Sequence, residues 1–207
     1  MKILVFGATG TIGTHAVAEL RKHHAAYGHG ELEMIQAHRS STEQRVDALD
    51  DASVAALFER VGTVDAVVSA IGTARWDSAA DATLQTYTAT IEGKLVSQLR
   101  IALAARGHLS PHGSITLTSG IVGNFAFPGG SASAVVNQGI DAFVRTATPE
   151  LPGIRMNAVS ATVVEESAAG YGAAFPGFPA ISGEAAGRAF VRSVFGVENA
   201  QTITAWG

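Results

Sequence analysis

Apolar positions along this chain of 207 residues follow two alternating patterns. Residues 3–6 (Ile-Leu-Val-Phe) form an unbroken apolar run, short enough for a strand buried on both faces. Ile12, Ala16, Val17 and Leu20 then recur at helical spacing, predicting a helix over 12–26 that closes at Gly28 and Gly30. A strand at 32–37 and a short strand at 45–47 follow. Next comes a helix that Asp51 caps, carrying Val54, Leu57 and Phe58 and ending at Gly62. Residues 64–72 read as the next strand, its apolar run Ala66-Val67-Val68 being that of a central parallel strand. A long helix over 83–106 carries Leu84, Tyr87, Ile91, Leu95, Leu99 and Leu103, and a strand occupies 114–119. The helix at 131–148 carries Val136, Ile140, Phe143 and Val144 and is stopped by Pro149 and Pro152. A strand at 154–159, a helix at 184–195 and a strand at 202–205 complete the chain. Such alternation predicts an α/β fold, a doubly wound parallel sheet of Rossmann type in one domain. Only a few residues separate the strands at 32–37 and 45–47, so the crossover between strands two and three is abbreviated, too short for a helix of about ten residues.

The first strand runs directly into Gly7-Ala8-Thr9-Gly10-Thr11-Ile12-Gly13. Strand, glycine turn and helix in that order form an anion site. Gly7 permits the tight turn, Gly10 lets a pyrophosphate approach the backbone, and Gly13 lets the helix pack against the strand. The helix N-terminus, with Thr9, Thr11 and Ile12 around it, offers unpaired N–H groups and a positive dipole end. The spacing G-x-x-G-x-x-G differs from the common Rossmann fingerprint, yet its placement points to a dinucleotide. After the second strand stand His38-Arg39-Ser40-Ser41-Thr42, with no acid among them. An acid there would hold a ribose 2′-hydroxyl, whereas Arg39 and Ser40 suit a 2′-phosphate, so NADP is expected over NAD. Asp47 is either an acceptor for the adenine amino group or a surface turn acid. Ala70 and Gly72 leave little bulk where the chain passes a cofactor.

Strand ends on the carboxyl side line the ligand crevice of such sheets. The loop at 73–80, with Trp76 and Asp77, lies there, as does Ser119-Gly120 at the end of the fifth strand. The segment 161–180, with Glu165, Glu166, Tyr171 and the turn Phe175-Pro176-Gly177-Phe178-Pro179, is long for a compact domain and reads as a substrate lid.

Composition narrows the classes. The chain is 47% hydrophobic and 15% charged, with net charge −4 and no Lys/Arg block, which argues against nucleic acid as a partner. Cysteine is absent, which excludes disulfides and thiolate metal sites. His23, His24 and His29 sit at or beyond a helix end, where histidine complements the dipole, and no metal is expected. No apolar run approaches the length of a membrane span, so no membrane partner and a cytoplasmic location are expected.

With these motifs in this order, the whole chain resembles the short-chain dehydrogenase/reductase family, in particular its small divergent members. The residues that carry the resemblance are the glycine turn, Ser69-Ala70-Ile71-Gly72, Thr118-Ser119-Gly120, 138–145 (Gln-Gly-Ile-Asp-Ala-Phe-Val-Arg) and 153–160 (Gly-Ile-Arg-Met-Asn-Ala-Val-Ser). The resemblance implies hydride transfer between nicotinamide and a small carbonyl or alcohol, and a homodimer or homotetramer. It implies a Tyr as general acid/base, a Lys four residues later, and a strand-end Ser that polarises the carbonyl. Here the Tyr and Lys positions hold Ser133 and Asn137. The tyrosines are Tyr27, Tyr87 and Tyr171, and the lysines Lys2, Lys22 and Lys94, none of them on this helix. Ser119 is then the candidate for polarising the substrate. Lys94, beside the family's active-site Asn position at Gly93, and Tyr171 are the candidates to stand in for the missing groups. Two readings of different class remain: an NADP(H)-dependent oxidoreductase with a non-standard site, and an NADP(H)-binding sensor or scaffold without turnover.

Overall fold

The computed structural model describes residues 1–73, 75–171 and 174–207. The strands β1 (Lys2–Phe6), β2 (Glu33–Ala37), β3 (Val64–Ser69), β4 (Leu109–Thr118), β5 (Arg155–Ala161) and β6 (Thr202–Ala205) form one sheet in the order β2-β1-β3-β4-β5-β6. Every neighbouring pair is parallel. The apolar runs read from the sequence are buried as expected: Ile3 to Phe6 and Ala66 to Val68 have no exposed surface. Helices α1 (Thr11–Tyr27) and α7 (Gly183–Phe195) pack one face around Ile3, Val5, Leu20 and Phe190. Helices α2 (Asp51–Val61), α4 (Ser97–Ala105) and α5 (Ser131–Ala147) pack the other around Leu4, Phe6, Phe58, Ile115 and Ile140. Among the described residues no helix is long and apolar enough to cross a membrane.

The chain moves outward from β1 to β2, then crosses back to β3 and continues away. The connections therefore diverge between β1 and β3, and the carboxyl ends of these strands open a crevice.

The expected strand at 45–47 is reduced to a single bridge, between His38 and Arg45. The chain turns too soon to extend it. The Asp47 carboxylate accepts from Leu49 N at 3.0 Å, Asp47 N donates to Ser53 Oγ at 2.9 Å, and Asp50 N donates to Asp47 O at 3.1 Å. The abbreviated crossover thus leaves β2 at the sheet edge. Asp50, not Asp51, caps α2, its carboxylate accepting from Ala52 N at 2.9 Å.

The expected helix over 83–106 is three pieces: α3 (Leu84–Thr90), a π-helical turn (Ile91–Val96), then α4. The Ser97 N–H reaches back five residues to Glu92 O. One residue is thereby accommodated beyond the α-helical count. Apolar spacing hides this, because Ile91, Leu95 and Leu99 also fit an unbroken helix.

The segment after β5 is less loop-like than its sequence implies. Val164 bridges to Ile181, and Glu165–Ser167 form a short 3-10 turn that runs into helix α6 (Ala168–Tyr171). A His15–Glu166 ion pair ties the segment to α1.

Candidate functional site

A cleft of about 970 Å³ runs along the carboxyl ends of β1, β3, β4 and β5. At its middle is the glycine turn. Gly7 has φ +75°, and a Cβ there would come within 2.6 Å of Ala70 O, so the β1–β3 junction closes only around glycine. A Cβ on Gly13 would overlap the Gly7 carbonyl oxygen; this glycine lies buried behind the turn. Gly10 is exposed and a Cβ there would meet only Gly7 O at 3.4 Å, leaving open backbone beside the start of α1. The α1 side chains supply no cap, so the first N–H groups of the helix stay available to an anion. This exposed cradle fits a pyrophosphate.

Gly7, Gly10, Thr11, Ile12, Ala70 and Gly72 line the cleft together with Arg39 and Asp47. Thr9 and Gly13 are outside the lining; Thr9 is exposed on the turn. Ser40 is also outside it, its hydroxyl 3.1 Å from His38 Nδ1. Arg39 is exposed and borders a second recess of about 490 Å³, which Arg45, Arg60, Asp47 and Asp50 share. Gly72, read as room for a cofactor, also makes room for a side chain: its φ is +114°, and a Cβ would lie 2.5 Å from Lys94 Cγ.

Lys94 comes from the π-helical turn and is buried, 9% exposed. Its Nζ donates to Asn137 Oδ1 at 2.7 Å and to Ser119 O at 3.1 Å. Asn137 Nδ2 in turn donates to Val122 O at 2.8 Å. Burial lowers the Lys94 pKa to about 8, against an opposing effect of the Asp141 carboxylate. Lys94 and Asn137 therefore meet in the cleft with their helices exchanged relative to the sequence pattern: the ammonium arrives from the helix after β3, and the amide from α5.

Ser119 follows β4, whose end is anchored by Gln98. The Gln98 side chain donates to Thr118 O and accepts from Thr118 N, both at 2.8 Å. Ser119 is 4% exposed, and its Oγ has no hydrogen-bond partner among the described residues. That hydroxyl faces Asp141, buried one helical turn after Asn137, without closing a bond of normal geometry. Burial raises the Asp141 pKa, the Ser119 and Thr202 hydroxyls and the Lys94 and Arg145 cations opposing it. Thus the Ser119 carbonyl, not its hydroxyl, contacts Lys94. Ser133, at the Tyr position, is buried and donates to Arg75 O at 3.4 Å.

Tyr171 also lines the cleft, 45% exposed, with its ring edge-on to Trp76 at 5.8 Å. Tyr87 lies outside the lining, its hydroxyl 2.8 Å from Ser131 Oγ. Glu165 and Glu166 are exposed, outside the lining, and Glu166 is engaged by His15. Asp141 was not among the sequence candidates. Its signal was a second polar residue four after Asn137 on an otherwise apolar helix face.

A family model described as enoyl-(acyl carrier protein) reductase matches residues 14–206. Among solved structures, the protein lin1944 from Listeria innocua is 35% identical, with 100% of both chains covered and a TM-score of 0.92. A small-chain dehydrogenase in complex with NADPH is 20% identical over 99% of this chain and 95% of that one, with a TM-score of 0.82. A short chain dehydrogenase from Burkholderia cenocepacia in complex with NADP is 19% identical over 98% and 94%, with a TM-score of 0.79. No curated protein matches the chain at a significant level.

Proposed function

The chain belongs to the short-chain dehydrogenase/reductase family, and on that premise we propose that it is an NADP(H)-dependent oxidoreductase acting on a small carbonyl or alcohol through a non-standard site. The observation that carries the reading is the buried Lys94 ammonium at one end of a cleft whose middle is an open glycine turn. Two structural neighbours of the same fold were solved with NADPH or NADP, which supports the cofactor. The exposed Arg39 at the adenosine end favours a 2′-phosphate. Gly7, Gly10 and the N–H groups of Thr11 and Ile12 would hold the pyrophosphate; Asp47, Ala70 and Gly72 border the same path.

The bound nicotinamide supplies the hydride. Reduction then needs a proton at the developing alkoxide, and Ser133 and Asn137, at the family's Tyr and Lys positions, carry no group acidic enough to give one. Lys94 does, and at a pKa of about 8 it holds and releases that proton near neutral pH. Asn137 and the Ser119 carbonyl orient its ammonium, leaving, among the described residues, one N–H for the substrate oxygen. Ser119 itself keeps Lys94 in place, and its hydroxyl polarises substrate only by rotating away from Asp141. Tyr171 closes the outer wall and is the second candidate acid. Leu103 on α4 and Val135 on α5 are nearly half exposed apolar side chains, which supports a homodimer or homotetramer through these helices.

The test is NADPH binding by fluorescence with a turnover assay over a carbonyl panel. Binding with turnover that Lys94→Met abolishes supports the reading. Binding without turnover of any carbonyl favours a sensor, and failure to bind NADPH overturns both.

A further inference from the structure

The substrate end of the cleft has an aromatic wall. Trp76, Tyr171 and Phe175 line it, with Ile121, Val122, Val163 and Val164 beside them. The three rings brace one another: Trp76–Tyr171 at 5.8 Å, Trp76–Phe175 at 5.4 Å and Tyr171–Phe175 at 5.6 Å, two of the three contacts edge-on. Phe127 backs Phe175 at 4.5 Å and is itself buried. The wall is therefore built from both sides of the cleft, the loop after β3 and the segment after β5, and held by ring packing. All three rings line the cleft, and an aromatic wall of this kind is suited to packing against another flat ring.

Charge adds a second constraint. Beyond the glycine turn, the charged side chains among the described lining residues are Lys94 and Arg75. Among the described lining residues the only acid is Asp47, toward the adenosine end. Arg75 makes no ion pair among the described residues and lines the cleft, and its backbone carbonyl accepts from Ser133, which sets this stretch of chain beside the family's Tyr position.

From this juxtaposition we infer that the substrate is an aromatic oxo acid, its ring against Trp76, its carbonyl at Lys94 and its carboxylate toward Arg75. The inference rests on the oxidoreductase reading above. With NADPH held along the glycine turn, its hydride would form the new C–H bond at the carbonyl carbon while the C=O π pair moves to oxygen. That oxygen takes a proton from Lys94, giving the hydroxy acid and NADP⁺, and solvent reprotonates Lys94.

Three carbonyls separate the determinants: phenylglyoxylate (ring and acid), acetophenone (ring only) and pyruvate (acid only). With NADPH, kcat/KM is expected to be at least about tenfold higher for phenylglyoxylate than for either other compound. Trp76→Ala should lower it at least about tenfold more for phenylglyoxylate than for pyruvate. Arg75→Met should lower it more for phenylglyoxylate than for acetophenone. A binding arm keeps the two readings distinguishable. The chain has two tryptophans, so Trp206→Phe leaves Trp76 as the only reporter. Phenylglyoxylate should quench its emission in the NADP⁺ complex, and pyruvate should not. Quenching without turnover would support the pocket and overturn the oxidoreductase reading. Equal kcat/KM for all three carbonyls would overturn the pocket and leave the oxidoreductase reading standing.

Discussion

Replacing Lys94 by Met should show more clearly in how stability depends on pH than in stability at neutral pH. The ammonium is buried, and its pKa falls from 10.5 to about 8 because burial disfavours the charged form. The sign follows from proton binding. Below about 8 both folded and unfolded states hold the proton, and the fold bears the full cost of burying it. Between about 8 and 10.5 the unfolded chain still binds the proton and the folded one does not, so stability rises with pH. At 1.36 kcal/mol per unit the gain is about 3 kcal/mol, complete above 10.5. Met fills similar volume and removes the titration. It also leaves Asn137 Oδ1 and Ser119 O without their donor, at about 1–3 kcal/mol each. At neutral pH these effects oppose one another, so the single-point difference is uninformative. The measurement is urea unfolding of both proteins from pH 7 to above 10, taking the difference at each pH so that other titrating groups cancel. The native protein should gain about 3 kcal/mol relative to Lys94→Met across that window. Parallel curves would refute a buried, titrating Lys94. Turnover reports the same group. Carbonyl reduction should be level below pH 8 and fall about tenfold per unit above it, alcohol oxidation should rise through the same pH, and the variant should lose both profiles.

Four further outcomes follow from the geometry. NADPH should bind at least about tenfold (1.4 kcal/mol) more tightly than NADH, and Arg39→Ala should erase most of the difference in titrations with both cofactors. Asn137→Lys would set a second ammonium where Lys94 now bonds, so it should lower the melting temperature and move the alkaline limb of reduction to lower pH; an unchanged limb would break the assignment of Lys94 as proton source. Ser133→Tyr should by itself speed reduction about tenfold or more wherever NADPH still binds normally, since Lys94 already supplies the charge that activates a phenol. Light scattering should show a dimer or tetramer at micromolar concentration, and Val135→Glu should shift it toward monomer.

The sheet was legible because buried parallel strands leave continuous apolar runs, as in Ile3 to Phe6 and Ala66 to Val68. The glycine turn was legible because each glycine answers a separate steric demand, seen again in the contacts that a Cβ at Gly7 or Gly13 would make. The strand at 45–47 misled because Arg45-Val46-Asp47 has strand-like polarity, while the Asp47 carboxylate closes a turn that no periodicity records. The resemblance located an absence, Ser133 and Asn137 in place of Tyr and Lys. It offered Lys94 as a stand-in but not the contacts that hold it, because Lys94 reaches Asn137 across 43 positions of sequence. Ser119 and Asp141 likewise became neighbours only once β4 and α5 were packed.

A π-helical turn is the trace that a single inserted residue leaves in an α-helix. Ahead of Ile91 and after Val96 the helix keeps its ordinary register, so the surplus is confined to the turn that carries Lys94. Each residue of an α-helix advances about 100° around the axis, so excising Gly93 would rotate Lys94 relative to its upstream neighbours by that amount and carry its ammonium off the cleft. A lysine on an unremarkable helix thus gains its position from counting rather than from identity. A one-residue deletion in this turn, with every surrounding residue kept, would therefore undo the placement of Lys94.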